Sequence, residues 1–126
     1  MSQATFYLCE ENGVVVAQLR AGEVELSCCG KPMKKLTANT TDAATEKHVP
    51  AVTVEGDVLT AVVGEVEHPM LDEHYITFLC VETESGLLFE ELKPGQEPKA
   101  TFNLGGKKAV AVYEYCNLHG LWVKEL

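Results

Sequence analysis

A cysteine and a histidine separated by two residues lie near the C-terminus and could bind one metal ion. Residues 113 to 122 read Tyr-Glu-Tyr-Cys-Asn-Leu-His-Gly-Leu-Trp, so a strand-like run gives way to turn residues at Cys116. A turn between Cys116 and His119 places a thiolate and an imidazole on one side of the backbone, which suits a transition metal. The alternative is a buried thiol beside a loop histidine, and the pair alone does not decide between the two.

The other histidines favour the metal site. The chain has four histidines in all, and each of the other three lies next to residues that end regular structure. His48 precedes Val49-Pro50, His68 is followed by Pro69, and His74 closes a short segment rich in acidic residues. We therefore expect every histidine in a loop or at the end of an element, where a rigid scaffold presents ligands to a common point.

A second group of cysteines lies in the first third of the chain. Cys28 and Cys29 are adjacent and are followed by a glycine, as in a metal-binding knuckle, while Cys9 ends an apolar run. The alternative for the adjacent pair is two small apolar side chains in a turn. Cys80 lies in the middle of an apolar run and is predicted to be a core residue.

Composition limits the classes of function. With 126 residues the chain is long enough to bury a core, and its 10 basic and 19 acidic residues give a net charge of −9. This charge argues against binding to nucleic acid or to an anionic membrane. No run is apolar enough to span a bilayer, and the first residues lack the pattern of a signal peptide, so we expect a cytoplasmic protein. The five cysteines are then expected to be thiols or metal ligands rather than disulfides.

The elements that must position these residues are predicted to be short strands. Apolar alternation and glycine turns recur along the chain with almost no helical periodicity, which is typical of an all-β antiparallel sandwich. A polar segment after Thr37 predicts a small N-terminal domain, 1–37, and a main domain, 38–126. One short helical turn is predicted over 42–47, ended by Pro50. The predicted strands are 6–9, 14–19, 24–27, 51–55, 58–63, 75–82, 87–92, 100–104 and 109–115, and the last two are expected to form a hairpin around Gly105-Gly106.

Three separated motifs carry a family resemblance. They are Glu46-Lys47-His48-Val49-Pro50, then His68-Pro69-Met70 with His74-Tyr75-Ile76, then Tyr115-Cys116-Asn117-Leu118-His119-Gly120-Leu121-Trp122. In this order the motifs resemble those of the desulfoferrodoxin and neelaredoxin family of superoxide reductases. The resemblance implies an immunoglobulin-like β-sandwich preceded by a small desulforedoxin-like β domain.

The resemblance also implies a metal centre and a reaction. One mononuclear non-haem iron per chain would have four equatorial histidines, one axial thiolate and one open position. The expected activity is the one-electron reduction of superoxide to hydrogen peroxide. Five such ligands exceed the four of a closed zinc site, and an axial thiolate favours electron donation from iron. The implied ligands are His48, His68, His74, His119 and Cys116.

Two charged residues beside the first histidine are implied to act in catalysis. Lys47 would attract the superoxide anion to the open position. Glu46 would close that position on ferric iron after the product leaves. Without His48 beside them, the same two residues would be interpreted as a solvated turn. The resemblance further suggests a rubredoxin-like electron donor and a homo-oligomer, either a dimer or a tetramer.

The N-terminal piece departs from the family pattern. In desulfoferrodoxins this domain binds a second iron through four cysteines, and Cys9, Cys28 and Cys29 match three of them. Asn12 stands at the fourth position, so we expect a retained fold without its metal; the alternative is a three-cysteine site that binds zinc or iron loosely. For the whole chain, an iron electron-transfer module and a structural metal-binding β-domain are the competing classes of function.

Overall fold

The computed structural model describes residues 3–40, 45–64 and 68–126, without the side chain of Glu46. The chain divides into two compact units, Gln3–Thr37 and Ala38–Leu126. Both units are built from antiparallel strands, and the one α-helix in the described residues has four residues. Within the described ranges, no helix is long and apolar enough to cross a membrane.

The N-terminal unit consists of two small sheets. Its strands are β1 (Thr5–Leu8), β2 (Val15–Gln18), β3 (Ser27–Cys28), β4 (Lys31–Pro32) and β5 (Lys34–Lys35), with β2-β1-β5 in one sheet and β3-β4 in the other. The tight turn between β1 and β2 includes Gly13, whose φ of 78° favours glycine. The predicted strand at 24–27 is wrong except at Ser27, because residues 23–26 pair with no strand in the described chain.

The larger unit is an antiparallel sandwich of two sheets, as predicted. Strands β10-β7-β6 form one sheet and β12-β11-β8-β9 form the other. The elements are α1 (Thr45–His48), β6 (Pro50–Glu55), β7 (Val58–Val63), β8 (Ile76–Thr83), β9 (Gly86–Glu91), β10 (Lys99–Asn103), β11 (Ala109–Cys116) and β12 (Gly120–Glu125).

The core of this unit lies between the two sheets. Leu59, Ala61 and Val63 of β7 contribute from one sheet, and Leu79 and Val81 of β8 from the other, all fully buried. On β11 the same period of two directs Val112, Glu114 and Cys116 to one face. The carboxylate of Glu114 and the thiol of Cys116 therefore point into the core at the end of β11.

The sequence-based pairing of the last strands is wrong in two respects. The strand at β10 pairs with β7 rather than with β11, so the Gly105-Gly106 segment connects the two sheets instead of closing a hairpin. Strand β11 pairs with β8 on one side and on the other with β12, which the pattern did not predict and in which Gly120 lies opposite Cys116. The Cys116–His119 segment is therefore the turn of the last hairpin, and the hairpin fixes the two side chains relative to each other.

Candidate metal centre

Four imidazole rings form a closed square at one end of the sandwich. Ring centroids are 4.6 Å apart for His48 and His68, 4.7 Å for His68 and His74, 5.0 Å for His74 and His119, and 4.9 Å for His119 and His48. Neighbouring rings meet edge to face, at 64° to 83°. Four imidazoles bound to one ion by metal–nitrogen bonds of about 2.1 Å would have a similar spacing.

His48 is positioned by the short helix and by an aromatic contact. It is the last residue of α1, and Val49 N–H donates to the Thr45 carbonyl at 2.9 Å, which closes the helical turn. The ring stacks on Trp122 at a centroid distance of 4.9 Å and an angle of 12°. The indole Nε1 donates to the His119 carbonyl at 3.1 Å, so one tryptophan of β12 holds both histidine segments.

His74 is held by a tight turn that is tied to the last hairpin. Leu71 and His74 exchange backbone hydrogen bonds of 2.9 and 3.1 Å around Asp72-Glu73. The Asn117 side chain accepts from Tyr75 N–H at 2.9 Å and donates to the Glu73 carbonyl at 3.1 Å. Residue 117 therefore locks the loop of His74 to the turn that carries the cysteine and His119.

Cys116 supplies a thiol close to the four imidazole rings. It ends β11, is fully buried, and its sulfur lies 3.9 Å from Nδ1 of His119. The backbone N–H of His119 donates to this sulfur at 3.4 Å, an arrangement that suits a thiolate. His48, His68, Cys116 and His119 have ligand atoms that all lie within 4.8 Å of one another.

The unpaired ring nitrogens identify the donor atoms. Nδ1 of His68 bonds the Pro69 carbonyl at 2.7 Å, which makes Nδ1 the protonated nitrogen and leaves Nε2 with a lone pair. The buried Nε2 atoms of His68 and His74 have no hydrogen-bond partner in the described part of the chain. Buried nitrogens without partners are rare, and a metal ion would satisfy both of them. Four imidazoles and one thiolate fit iron, the metal that this donor set suits better than tetrahedral zinc.

Glu114 is a member of the site that the sequence analysis missed. It is completely buried, and its Oε2 lies 3.4 Å from Nδ1 of His48. Neither carboxylate oxygen, and also not Nδ1 of His48, has a hydrogen-bond partner among the described residues, so the contact between them is a close approach of charged or polar groups. A carboxylate behind a ligating histidine orients the ring and leaves the opposite nitrogen, here Nε2, for the metal. The signal in the sequence was a charged residue in the same inward phase of β11 as Val112 and Cys116.

Burial lowers the pKa values of three of the histidines and so favours the neutral rings that can bind a cation. Burial lowers the pKa of His48 to about 4, and the neighbouring imidazoles and Lys47 contribute in the same direction. The pKa values of His68 and His74 are also lowered, mainly by burial. His48, His68 and His74 are therefore neutral at pH 7 with lone pairs available. Burial raises the pKa of the Cys116 thiol, and hydrogen bonds from the His119 and Leu118 backbone oppose this shift. A bound cation would favour the thiolate further.

The structure thus brings together the five residues that were predicted as metal ligands. Lys47 is exposed, and its charge makes the smallest contribution, after burial and the neighbouring imidazoles, to the lowered pKa values of His48, His68 and His74. The side chain of Glu46 lies outside the described residues. Cys80 is buried within β8, as predicted for a core residue.

The prediction for the N-terminal cysteines was wrong in one respect. They were expected to be thiols or ligands, but Cys9 is joined to Cys28 by a disulfide, and Cys29 is free. The reason is geometric: β1 and β3 bring the two Cα atoms to 5.9 Å, within the range that a disulfide spans. Sequence spacing alone could not give this distance.

Comparisons with known proteins agree with this site. The family described as Desulfoferrodoxin matches residues 40–125. A desulfoferrodoxin of Syntrophotalea carbinolica is 46% identical over 121 residues, covering 94% of each chain. A superoxide reductase of Pyrococcus abyssi is 35% identical over 112 residues, covering 75% of this chain and 97% of the relative. The crystal structure of the superoxide reductase from Treponema pallidum superposes with a TM-score of 0.84 at 31% identity and covers 98% of both chains. The chain belongs to the desulfoferrodoxin family.

Proposed function

We propose that this protein is a superoxide reductase that converts superoxide to hydrogen peroxide at one mononuclear iron per chain. The single observation that carries the proposal is the closed square of four buried or half-buried imidazoles with the Cys116 sulfur beside it. The family and its named superoxide reductases support the same function. When bound, iron supplies the one-electron chemistry and an open coordination position.

The protein's own residues hold and tune that centre. Nε2 of His48, His68 and His74, Nδ1 of His119 and the Cys116 sulfur are the proposed ligand atoms. His119 N–H donates to the sulfur and Glu114 supports His48, so both ligands have a defined orientation. Burial on the core side excludes water there, so an anionic substrate approaches from the exposed side.

Lys47 and Glu46 are the proposed catalytic residues outside the ligand set. The exposed Lys47 ammonium places positive charge beside the histidines, which attracts a small anion to a protein of net charge −9. Glu46 precedes Lys47 on the same short helix, and its proposed role is that its carboxylate would bind the iron once the product has left.

Metal analysis and a superoxide assay test the function together. We expect one iron per chain and consumption of superoxide with formation of hydrogen peroxide and no formation of dioxygen. An electron-transfer module would contain iron without reacting with superoxide, since a pure electron carrier needs no open position. Zinc in place of iron, without activity, would support a structural metal-binding domain.

Replacing Cys116 by serine tests the thiolate directly. Cys116→Ser should abolish the sulfur-to-iron charge-transfer absorption of the oxidised protein, because an alkoxide cannot supply that transition. The sandwich should stay folded, as monitored by circular dichroism, since the two side chains are similar in size. Cys80→Ser is the matched control, because Cys80 is an equally buried thiol within β8. An unchanged visible spectrum for Cys116→Ser would remove this residue from the site.

The electron donor and the assembly state are further parts of the proposal. A small rubredoxin-like protein is the proposed donor, and the exposed Leu71 and Leu118 beside His74 and His119 suit a small apolar contact surface. Oxidation of this rubredoxin-like donor by superoxide should require the enzyme. The proposed assembly is a homo-oligomer, a dimer or tetramer, which light scattering would distinguish from a monomer. Cytoplasmic localisation stays a prediction from the sequence.

A further inference from the structure

Three cysteines of the N-terminal unit take no part in the proposed reaction. Cys9 follows β1 and is 2% exposed, while Cys28 ends β3. Cys29 is exposed in the two-residue turn between β3 and β4, and its sulfur lies 3.7 Å from the Cys28 sulfur. The three sulfur atoms lie within 4.8 Å of one another.

A four-thiolate iron centre does not fit these residues. Such a centre needs four deprotonated sulfurs, but only three cysteines are present and two of them are joined to each other. The fourth position is taken by the Asn12 amide, whose Nδ2 donates to the Cys29 sulfur at 4.0 Å. The unit therefore combines a disulfide with a third, accessible thiol next to it, an arrangement suited to thiol–disulfide chemistry.

We propose that these cysteines form a redox site that consumes hydrogen peroxide, with Cys29 as the entry thiol and Cys9–Cys28 as the final disulfide. Hydrogen peroxide is the product of the proposed superoxide reductase reaction, so this inference rests on that function for the natural source of its oxidant. Its chemistry requires peroxide alone and is independent of the iron.

The first steps take place at the exposed turn. The Cys29 thiolate attacks one oxygen of hydrogen peroxide, the O–O bond breaks, and hydroxide leaves and is protonated to water. This step oxidises Cys29 to a sulfenic acid. The Cys28 thiolate, with its sulfur 3.7 Å away, then attacks the sulfenic sulfur, the S–O bond breaks, and a second water leaves. The result is a disulfide between adjacent residues.

The adjacent disulfide is a strained intermediate. Neighbouring Cα atoms are fixed about 3.8 Å apart, which is below the range found for ordinary disulfides. The Cα atoms of Cys9 and Cys28 are 5.9 Å apart, close to the common value. Attack of the Cys9 thiolate on the Cys28 sulfur therefore relieves strain, forms the observed disulfide and releases Cys29 as a thiolate.

The whole cycle balances. Two thiols and one hydrogen peroxide give one disulfide and two waters, and an external dithiol returns the two electrons by exchange. The exposed position of Cys29 lets it meet peroxide, while the burial of Cys9 protects the final disulfide. Cys29 adopts a φ of 53°, which is uncommon outside glycine and consistent with a functional position in the turn.

Peroxide titration of the iron-loaded protein tests the proposal. The protein is reduced with dithiothreitol, desalted without oxygen and given one equivalent of hydrogen peroxide, and thiols are then counted and disulfides mapped by mass spectrometry. We expect two thiols to disappear per chain and the Cys9–Cys28 disulfide to form. Cys29→Ser should slow this step by roughly tenfold or more, because Cys9 is buried and Cys28 is half-buried whereas Cys29 is exposed.

Two further variants keep the test decisive. Cys9→Ser should stop the cycle early, so that a sulfenic-acid reagent or a Cys28–Cys29 bond is detected in the mapped peptides. Cys80→Ser should behave like the parent. Cys29→Ser should keep the parent's iron content and superoxide rate, so failure of this inference is distinguishable from failure of the proposed function. Disulfide formation at the parent rate in Cys29→Ser, or protection of the thiols by one tightly bound zinc ion, would overturn the proposal.

Discussion

At the residue scale, each ligand depends on one neighbour that fixes its ring or its charge. His68 has the Pro69 carbonyl, His48 has Glu114 on one side and Trp122 on its face, and Cys116 has the backbone N–H of the turn. These contacts determine which nitrogen carries the proton and therefore which atom is free to bind iron. Replacing a supporting residue should change the metal centre without removing a ligand.

Glu114 provides the sharpest test of such support. Glu114→Ala should weaken iron affinity by roughly 10- to 100-fold, the usual effect of losing a partner behind a ligating histidine. Glu114→Gln keeps an oxygen acceptor toward Nδ1 of His48 and should retain more affinity than alanine. The measurement is competition with a chelator.

Stability of the metal-free protein separates positioning from folding. Burial raises the pKa of Glu114 well above its ordinary range, so the residue is costly to bury and its removal should leave the unfolding free energy equal or higher. Parent-like iron affinity in Glu114→Ala would show that the carboxylate does not support His48.

Lys47 is expected to act on rate rather than on stability. Lys47→Ala removes a positive charge beside the histidines, so the second-order rate with superoxide should fall about tenfold at low salt. Its salt dependence should flatten, since steering by charge is screened by ions. An exposed lysine contributes only about 0–1 kcal/mol to folding, so the melting temperature should change little. Pulse radiolysis at two salt concentrations is the measurement.

Two variants control for the loss of charge. Lys47→Arg keeps the charge and should react nearly as fast as the parent. Lys108→Ala removes an exposed lysine just before β11, whereas Cys116 ends the same strand, so the charge lies one strand length from the site. Equal rates for the parent and Lys47→Ala at low salt would contradict the catalytic role and support the interpretation of Lys47 as part of a solvated turn.

At the element scale, the site depends on how two loops are tied to one hairpin. The β11–β12 hairpin presents Cys116 and His119 in its turn, and the loop before β8 presents His74. Asn117 joins them through three hydrogen bonds, two from its side chain and one from its backbone N–H to the Tyr75 carbonyl. At the start of the unit, Asn39 pairs with the backbone of Leu121 and Val123, which holds β12 from its other side.

Removing the Asn117 side chain should loosen the His74 loop. Asn117→Ala loses two side-chain hydrogen bonds and should cost about 1–3 kcal/mol of unfolding free energy. Iron release to a chelator should also accelerate, because His74 is no longer held toward the other imidazoles. Asn103→Ala is the matched control, since the Asn103 side chain accepts one hydrogen bond of 2.9 Å from Gly105 N–H in the turn after β10. Equal iron-release rates for the two variants would contradict this role.

At the scale of the whole molecule, the buried titratable groups set how stability depends on pH. The pKa values of His48, His68 and His74 are lowered in the folded chain, and that of His48 falls from 6.5 to about 4. Below pH 6.5 the unfolded chain takes up protons that the folded chain excludes. Unfolding free energy should therefore fall as the pH decreases from 6.5, and for His48 the loss continues down to about pH 4.

Glu114 acts in the opposite direction and supplies the control. Its pKa is raised by burial, so the folded chain binds a proton that the unfolded chain lacks, and acidification favours folding. On unfolding, the three histidines can bind up to three protons and Glu114 releases one, so the metal-free protein should lose stability toward pH 5. Urea unfolding of chelator-treated protein measures this loss. In Glu114→Gln, the unfolding free energy should fall more steeply as the pH decreases. An unfolding free energy of the parent that does not change between pH 6.5 and pH 5 would contradict the prediction.

The sequence by itself determined the chemistry of the site and most of the strands. Ligand type depends on residue type, and only four histidines were available, each beside a proline, an acidic turn or a glycine that ends regular structure. Apolar alternation in 51–63 and 75–92 predicted four strands that the structure contains and pairs as two hairpins. These features are local, because a strand's period and a turn's residues are fixed within a few positions.

The tertiary structure alone decided which distant residues meet. Strand β10 crosses to the other sheet because its buried alanine and phenylalanine pack beside β7, and a local glycine turn cannot specify that choice. The unpredicted β12 brought Trp122 onto His48, and the inward phase of β11 placed Glu114 behind it. The distance between Cys9 and Cys28 likewise depends on two strands far apart in sequence. Contacts between separate elements are set by packing of the whole core, so they are determined only when the chain has folded.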